Sequence, residues 1–203
     1  MIIVMMTAAS LRDQQAAVAR ERIMRGVAEL LERDGSDDLT MPRVAEVSGV
    51  SLRTLYRYFP TREALLDAAG RWIGGELLKQ GYPTTLDNVA DSFERACGEF
   101  DERPGLVRAM AMSEVGRAAR SSRRRERLDA IRQLLEGEVG ALPERELRQA
   151  EAVLAYLHNM LAYTTLREEQ HLAGTEIGEA VGWAIRTLVA DLRDRNRTKE
   201  RER

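Results

Sequence analysis

Apolar residues recur at spacings of three and four along most of the chain, and nothing alternates convincingly at period two. That pattern predicts helices and no sheet. Ala19, Ile23, Val27 and Leu30 form the stripe of a first helix, stopped at "DGSDD" with Gly35 as its C-terminal cap. Thr40 caps a short second helix from Met41 to Val47. Pro42 is tolerated there because the amide it lacks would be unbonded in the first turn. Gly49 supplies a tight turn, Ser51 caps a third helix to about Phe59, and Pro60 ends it. Thr61 caps a fourth helix through about Gln80, with Leu65, Ala69, Trp72, Ile73 and Leu77 facing inward. Its Gly74-Gly75 pair is expected to weaken or bend it. "GYPTT" at 81–85 then reads as a boundary between a small N-terminal unit and the rest.

Beyond that boundary the pattern predicts at least five more helical segments. Leu86, Val89, Phe93, Cys97 and Phe100 make one stripe, and a shorter segment runs from Leu106 to about Val115. Leu128, Ile131, Leu135 and Val139 mark the next, which ends near Pro143. The last two, about Glu144 to Glu169 and Thr175 to Arg195, are the most apolar. "GRAARSSRRRERL" holds six arginines between 117 and 127 and is read as a solvated loop and helix start, with an acidic ligand or DNA backbone as the alternative. The tail "RDRNRTKERER" has no apolar period and is expected to be frayed or disordered.

Composition narrows the class. The chain has 203 residues, enough for a buried core, and 44% of them are hydrophobic against 32% charged, which fits a globular protein. A net charge of −2 does not by itself point to a polyanion partner, yet residues 40–62 carry Arg43, Arg53, Arg57 and Arg62 against Glu46 alone. Cys97 is the only cysteine, so neither an internal disulfide nor a cysteine-rich zinc site is expected, and a reducing compartment fits best. The opening "MIIVMMTAA" lacks a basic leader and is short for a signal peptide; Met5 or Met6 is an alternative start. The longest uncharged run, Ala152 to Leu166, falls short of a membrane span. These readings place the protein in the cytoplasm, with no membrane partner, metal or cofactor.

The stretch "SGVSLRTLYRYFPTREALL" carries the candidate chemistry. On a helix over 52–59, Leu52, Leu55 and Phe59 fall on one side and close a core with Val44 and Ala45. Arg53, Tyr56 and Arg57 fall opposite, flanked by Thr54 and Tyr58. All of these donate hydrogen bonds, which suits phosphate oxygens and purine edges. Arg53, near the helix start, is placed to reach a base edge, while Arg57, Tyr56 and Tyr58 suit phosphates, sugars or thymine methyls. Thr40 and Ser51, and Thr61 with Arg62, open helices whose unbonded amides favour an anion. Phosphate contacts would flank base contacts between them. Any one of these arginines alone would be read as solvated; the layout of helix, Gly turn and short helix is helix-turn-helix grammar.

The segment "LTMPRVAEVSGVSLRTLYRYFPTREALLDAA", residues 39–69, closely resembles the DNA-binding unit of the tetracycline-repressor-like (TetR) transcription regulators. The matching positions are Leu39-Thr40, Val44-Ala45, Gly49-Val50-Ser51, Thr54-Leu55-Tyr56, Tyr58-Phe59 and Arg62 to Leu66. The resemblance covers roughly residues 14–80. It implies an all-α protein with an N-terminal three-helix DNA-binding domain (14–80, helix-turn-helix about 40–59) and a C-terminal helical domain (81–195) for effector binding and dimerisation. Residues 196–203 would be the disordered tail. It further implies that Arg53, Thr54, Tyr56, Arg57 and Tyr58 lie on the recognition helix and that Thr40 and Arg62 touch phosphates. Pro42 departs from the family, which often has a polar donor there, so that contact is expected to be missing or shifted to Arg43.

Within the second unit, Val153 to Leu166 is apolar or small all round, and Ala180 to Leu192 shows the same breadth. A helix wet on no side must be covered on both, either by its own domain or by a second copy. Ala155, Ala162, Leu166, Val181, Trp183, Ala184 and Leu188 are the candidate dimer contacts. Candidate walls for a small apolar effector are Phe93, Cys97, Phe100, Met110, Met112, Tyr156, His158, Asn159 and Tyr163. Each of these is also an ordinary core position. The expected function is a repressor that binds a palindromic operator as a homodimer and is released by a small molecule. A transcriptional activator, a ligand-independent DNA-binding regulator and an all-helical enzyme are the alternatives. No glycine-rich phosphate loop, metal spacing or nucleophile–base pair supports the enzyme.

Overall fold

The computed structural model describes residues 8–35, 39–77 and 81–202. The start of the apolar opening segment, the last three residues of "DGSDD" and the expected end of the fourth helix at Gln80 lie outside them. Ten helices fill the described residues, and no strand occurs among them. The first, α1 (Ala8–Asp34), buries Ile23, Val27 and Leu30 completely, and Gly35 ends it with a positive φ of 74° and an N–H that donates to the Leu31 carbonyl at 3.2 Å. Helix α2 (Met41–Ser48) is capped by Thr40, whose hydroxyl accepts from the Arg43 amide at 3.4 Å. Gly49, at φ +64°, closes it by donating to the Glu46 carbonyl at 3.1 Å; a side chain there would be strained, so the turn needs glycine. Ser51 caps α3 (Leu52–Tyr58) by accepting from the Thr54 amide at 3.1 Å. Thr61 does the same for α4 (Arg62–Leu77) through the Ala64 amide. All four caps predicted from the pattern are formed, and α4 remains helical through Gly74 and Gly75.

The second unit begins with α5 (Asp87–Glu102), whose five predicted stripe residues are all buried. Helix α6 (Pro104–Met112) is shorter than expected, because Ser113 stops it and caps α7 (Glu114–Val139) through the Gly116 amide. The arginine run is therefore neither a loop nor a helix start: it lies within a helix of 26 residues. Arginine is a good helix former, so charge density did not oppose this.

The long helix expected from Glu144 to Glu169 is two, α8 (Glu144–Leu157) and α9 (Met160–Gln170). Asn159 leaves the helical region (φ −148°, ψ 146°) and its side chain accepts from the Leu161 amide, so an N-cap residue inside an apolar run restarts the chain. The last helix, α10 (Gly174–Arg201), absorbs most of the tail that was expected to be disordered. Two local features hold it. Arg195–Asp191 and Lys199–Glu202 pair along its surface, and Asn196 is buried with its carbonyl oxygen accepting from the Ala141 amide at 2.9 Å.

One apolar core runs through the described chain, from Ile23 on α1 to Leu192 on α10. The two units are joined by packing as well as by the 81–86 connection. Helix α4 lies against α7 so closely that a Cβ on Gly70 would sit 2.6 Å from the Cβ of Ala119. Arg103, ahead of α6, also binds Glu32 of α1 at 2.5 Å. Among the described residues no helix is long and apolar enough to cross a membrane.

Candidate functional site

Helix α3 is anchored by Leu55, fully buried, and by Phe59 just beyond its end, 8% exposed. Leu52, expected to share that core, is 41% exposed instead. In a helix of seven residues the first position overhangs the core, with no following helix to cover it. Opposite the anchor, Arg53, Tyr56 and Arg57 are exposed beside the exposed cap Ser51, while Thr54 is half-buried with its hydroxyl 2.9 Å from that of Ser51. Neither Arg53 nor Tyr56 has a hydrogen-bond or ionic partner among the described residues, so their donors are free.

The remaining candidates are held more firmly. Tyr58 is half-buried between two guanidiniums, with Arg57 5.0 Å and Arg20 5.6 Å from its ring centroid. Stacking of this kind stiffens both partners and leaves guanidinium edges open to phosphate. Arg43 forms a surface ion pair with Glu46 at 2.8 Å, which costs little to exchange for a phosphate. Arg62 differs: its Nε donates to the Leu39 carbonyl at 3.2 Å and its Nη1 lies 3.8 Å from Glu114 at the start of α7. The chain uses that guanidinium to tie the α1–α2 connection to α4 and the second unit. Arg20 and Arg22 were missed in the sequence. Arg22 reaches to the turn at Gly49, and both residues join this surface through tertiary packing that no local pattern announces.

A cavity of about 70 Å³ lies within the second unit, against the inner side of α4. Of the nine predicted wall residues, Phe93, Phe100, Met110, His158 and Asn159 line it. The other four do not. Met112 and Tyr156 point outward, at 56% and 58% exposure. Cys97 is buried in the core, and burial first, then the charges of Asp101 and Glu94, pushes its thiol up to about 12. Tyr163 is buried elsewhere, where it donates to Asp101 at 2.6 Å; burial and then that carboxylate raise its pKa. The sequence reading missed Gly74 of α4 and two arginines of α7, Arg120 and Arg127, in this cavity wall. Their run was assigned to solvent because six arginines in eleven residues look uniformly polar, although a helix turns only some of them outward.

The dimer candidates divide in the same way. Trp183 on α10 is 69% exposed, whereas Ala155, Ala162 and Val181 are buried inside the protomer and support their helices from within. Leu166, Ala184 and Leu188 are half-buried. The single chain covers α8 and α10 on one side only, since Val153 and Tyr156 on α8 are exposed as well as Trp183 on α10. These are large apolar side chains without a cover.

Residues 23–69 match the profile described as bacterial regulatory proteins, tetR family. The SlmA nucleoid occlusion factor of Sodalis glossinidius is 32% identical over 146 residues, which span 66% of this chain and 70% of its own. The chain belongs to the tetR family. A second SlmA, from Vibrio vulnificus, is 28% identical over 183 residues, 86% of each chain. Solved tetR-like structures share the fold along most of their length. NalD, the secondary repressor of the MexAB-OprM multidrug efflux pump in Pseudomonas aeruginosa, superposes with a TM-score of 0.61 at 16% identity, covering 84% of this chain and 95% of its own. Thermus thermophilus FadR, a tetR-family repressor solved with lauroyl-CoA, gives 0.54 at 24% identity over 84% and 93%. This tetR-family chain is a DNA-binding regulator, and the matched segment contains α2, α3 and the free donors of Arg53 and Tyr56.

Proposed function

We propose that the protein is a transcriptional repressor that binds a palindromic operator as a homodimer and is released by a small molecule held in the cavity of its second unit. Residues 14–80 form the DNA-binding unit and residues 81 onward, through α10, the effector-binding and dimerising unit; the protein works in the cytoplasm. The observation that carries this reading is the free donor face of α3, opposite its Leu55 and Phe59 anchor. Arg53 reads a base edge, Tyr56, Arg57 and Tyr58 grip the backbone around it, and the capped N-termini at Thr40, Ser51 and Thr61 flank them. Arg43 supplies a further phosphate contact, whereas Arg62 acts by holding α4 against Leu39 and Glu114. Two copies would place their recognition helices in major grooves about 34–36 Å or a small multiple apart.

Release follows from α4. Gly74 lines the cavity and Gly70, one turn earlier, touches Ala119, which is also a wall residue. An occupant that shifts α7 or α4 therefore moves the helix that carries α3, and affinity falls by the difference in binding free energy between the two spacings. Footprinting on the DNA upstream of the protein's own gene tests the proposal. Wild type should protect a two-fold site, and Arg53→Ala should cost about 1–3 kcal/mol and relax specificity at one position in each half. Equal affinity of the wild type for that DNA and for a scrambled duplex at the same salt would overturn it. The name of the SlmA relatives supports a second reading, in which DNA binding serves nucleoid occlusion. Chromosome-wide mapping of bound sites separates the two: promoter-proximal sites favour the repressor.

A further inference from the structure

The cavity is apolar over most of its wall, from Phe93, Phe100, Met110 and Met160, yet two guanidiniums enter it. Arg120 donates to the Met110 carbonyl at the end of α6. Arg127 has no ionic partner among the described residues, and its buried Nε has no hydrogen-bond partner at all. Burial lowers the pKa of both; Tyr82 opposes this at Arg127, while neighbouring arginines add to it, Arg127 and Arg117 acting on Arg120 and Arg124 on Arg127. The carboxylate of Glu151 lines a separate groove that Arg127 also borders, and it pairs with Arg132 at 3.8 Å. None of the other polar wall groups, Tyr82, His158 and Asn159, is a carboxylate, and burial pushes His158 down to about 4, which leaves it neutral. A half-buried cation without a counter-charge is costly, and a planar guanidinium is matched best by an oxyanion that takes two of its N–H groups.

Resting on the effector reading above, we infer that the cavity takes a compact organic anion, its apolar body against Phe93, Phe100, Met110 and Met160 and its anionic head on Arg127 and Arg120. This replaces the purely apolar effector expected from the sequence. A cationic effector would meet two like charges, and a neutral one could accept from the Arg127 Nε but would leave both guanidinium charges without a counter-charge. Size follows from the space. A cavity needs roughly 10–15 Å³ to admit one water, so the cavity of about 70 Å³ admits a short aliphatic or single-ring body without side-chain movement, and a longer chain only by displacing wall residues. The head is a carboxylate or a phosphate monoester, chemistries that the guanidinium fork alone does not separate.

Full-length protein titrated with benzoate, hexanoate and octanoate, with the matching amides and amines, and with hexyl phosphate and inorganic phosphate tests this by calorimetry and thermal shift. Expected is binding of at least one carboxylate or monoester at least tenfold tighter than its amide, no binding of the amines, and none of inorganic phosphate, which lacks the body. Which of the two heads binds tighter identifies the source. Arg127→Gln should erase the preference for acid over amide, while Arg127→Lys, which keeps the charge and loses the fork, should keep part of it. Without ligand, Arg127→Gln should melt no lower than wild type, because an unpaired charge has been removed. Equal binding of acid and amide, an unchanged preference in a folded Arg127→Gln, or no binding by any acid or monoester at millimolar concentration would overturn the inference. DNA release is scored separately. Anion binding that leaves the DNA complex intact upholds the site and overturns its role as the effector site. Release by an amine instead upholds the repressor and overturns the anion.

Discussion

His158 shows how much one residue's role depends on where the chain breaks. It follows α8, its Nε2 lies 3.2 Å from the Ser92 hydroxyl, and its ring tilts against Phe93 at 6.1 Å between centroids. Its pKa falls mainly through burial, with the Arg127 charge adding to the effect. The unfolded chain takes up a proton near pH 6.5, whereas the folded chain does so only near 4. Below pH 6.5 the unfolded state therefore binds more protons, and stability falls as pH drops through that window. Urea unfolding of wild type and His158→Gln should show the wild type losing about 3 kcal/mol relative to the variant between pH 7 and 4. A constant difference would mean that the ring titrates in the fold as it does in the open chain. At this scale the sequence disclosed positions better than contacts. Leu55, Phe59, Arg53 and Tyr56 follow from a spacing of three and four, so their burial and exposure were legible. Leu52 fits the same spacing and was misplaced, because periodicity says nothing about where a short helix runs out of neighbours. The stacking of Arg20 on Tyr58 joins residues 38 positions apart and has no local signature.

Among elements, the caps were the most legible feature, since Thr40, Ser51, Thr61 and Gly49 act within four residues of themselves. Breaks inside uniform runs were the least legible. Asn159 looked like one polar residue in an apolar helix, and Ser113 like a continuation of the segment before it; both turned out to be N-caps. The tail was hidden in the opposite way. Its lack of apolar period suggested disorder, while its ion pairs and the buried Asn196 sustain helix. How the elements meet depends on a few charged groups. Glu138 of α7 accepts from the Leu86 amide at 2.7 Å and pairs with Arg193 of α10 at 2.5 Å, joining three helices at one end. Asp101 does so at the other end: it takes the Tyr163 hydroxyl and the Arg167 guanidinium from α9 and the Gly174 amide, 3.0 Å away, at the start of α10. Its negative charge also suits that helix N-terminus. Asp101→Asn should cost about 1–3 kcal/mol, because an amide has one acceptor where three donors converge. Tyr163→Phe, which removes a single donor, should cost less. Equilibrium unfolding of both variants checks the order, and a Tyr163→Phe loss as large as that of Asp101→Asn would show that the carboxylate is not the hub.

For the whole molecule, the sequence indicated two helical units, and the structure adds a close contact between α4 and α7. Gly70 against Ala119 permits α4 and α7 to approach to side-chain-free distance, and both helices contribute wall to the cavity. Neither glycine nor alanine stands out in a pattern reading, so this contact could not be foreseen from spacing. The outer surface poses the remaining question. Trp183 is 69% exposed on α10, the most open of the large apolar residues described, and Tyr156 and Val153 are exposed on α8. Isolated exposed apolar residues are common, but an indole this open is the kind of anchor that dominates a protein interface once desolvated. If a second copy covers it, Trp183→Asp should weaken self-association by about 2 kcal/mol or more, roughly thirtyfold in dissociation constant. Helix α10 should survive, because the buried Ile177, Val181 and Ile185 lie on its other side. Sedimentation of the variant should then show monomer at micromolar concentration where wild type is dimeric, with circular dichroism unchanged. Because a monomer presents one α3 at a time, its footprint should contract to half a site, and operator affinity should depend steeply on protein concentration. A variant that remains dimeric and protects the full site would place the two-fold contact on another face and leave Trp183 as solvent-exposed surface.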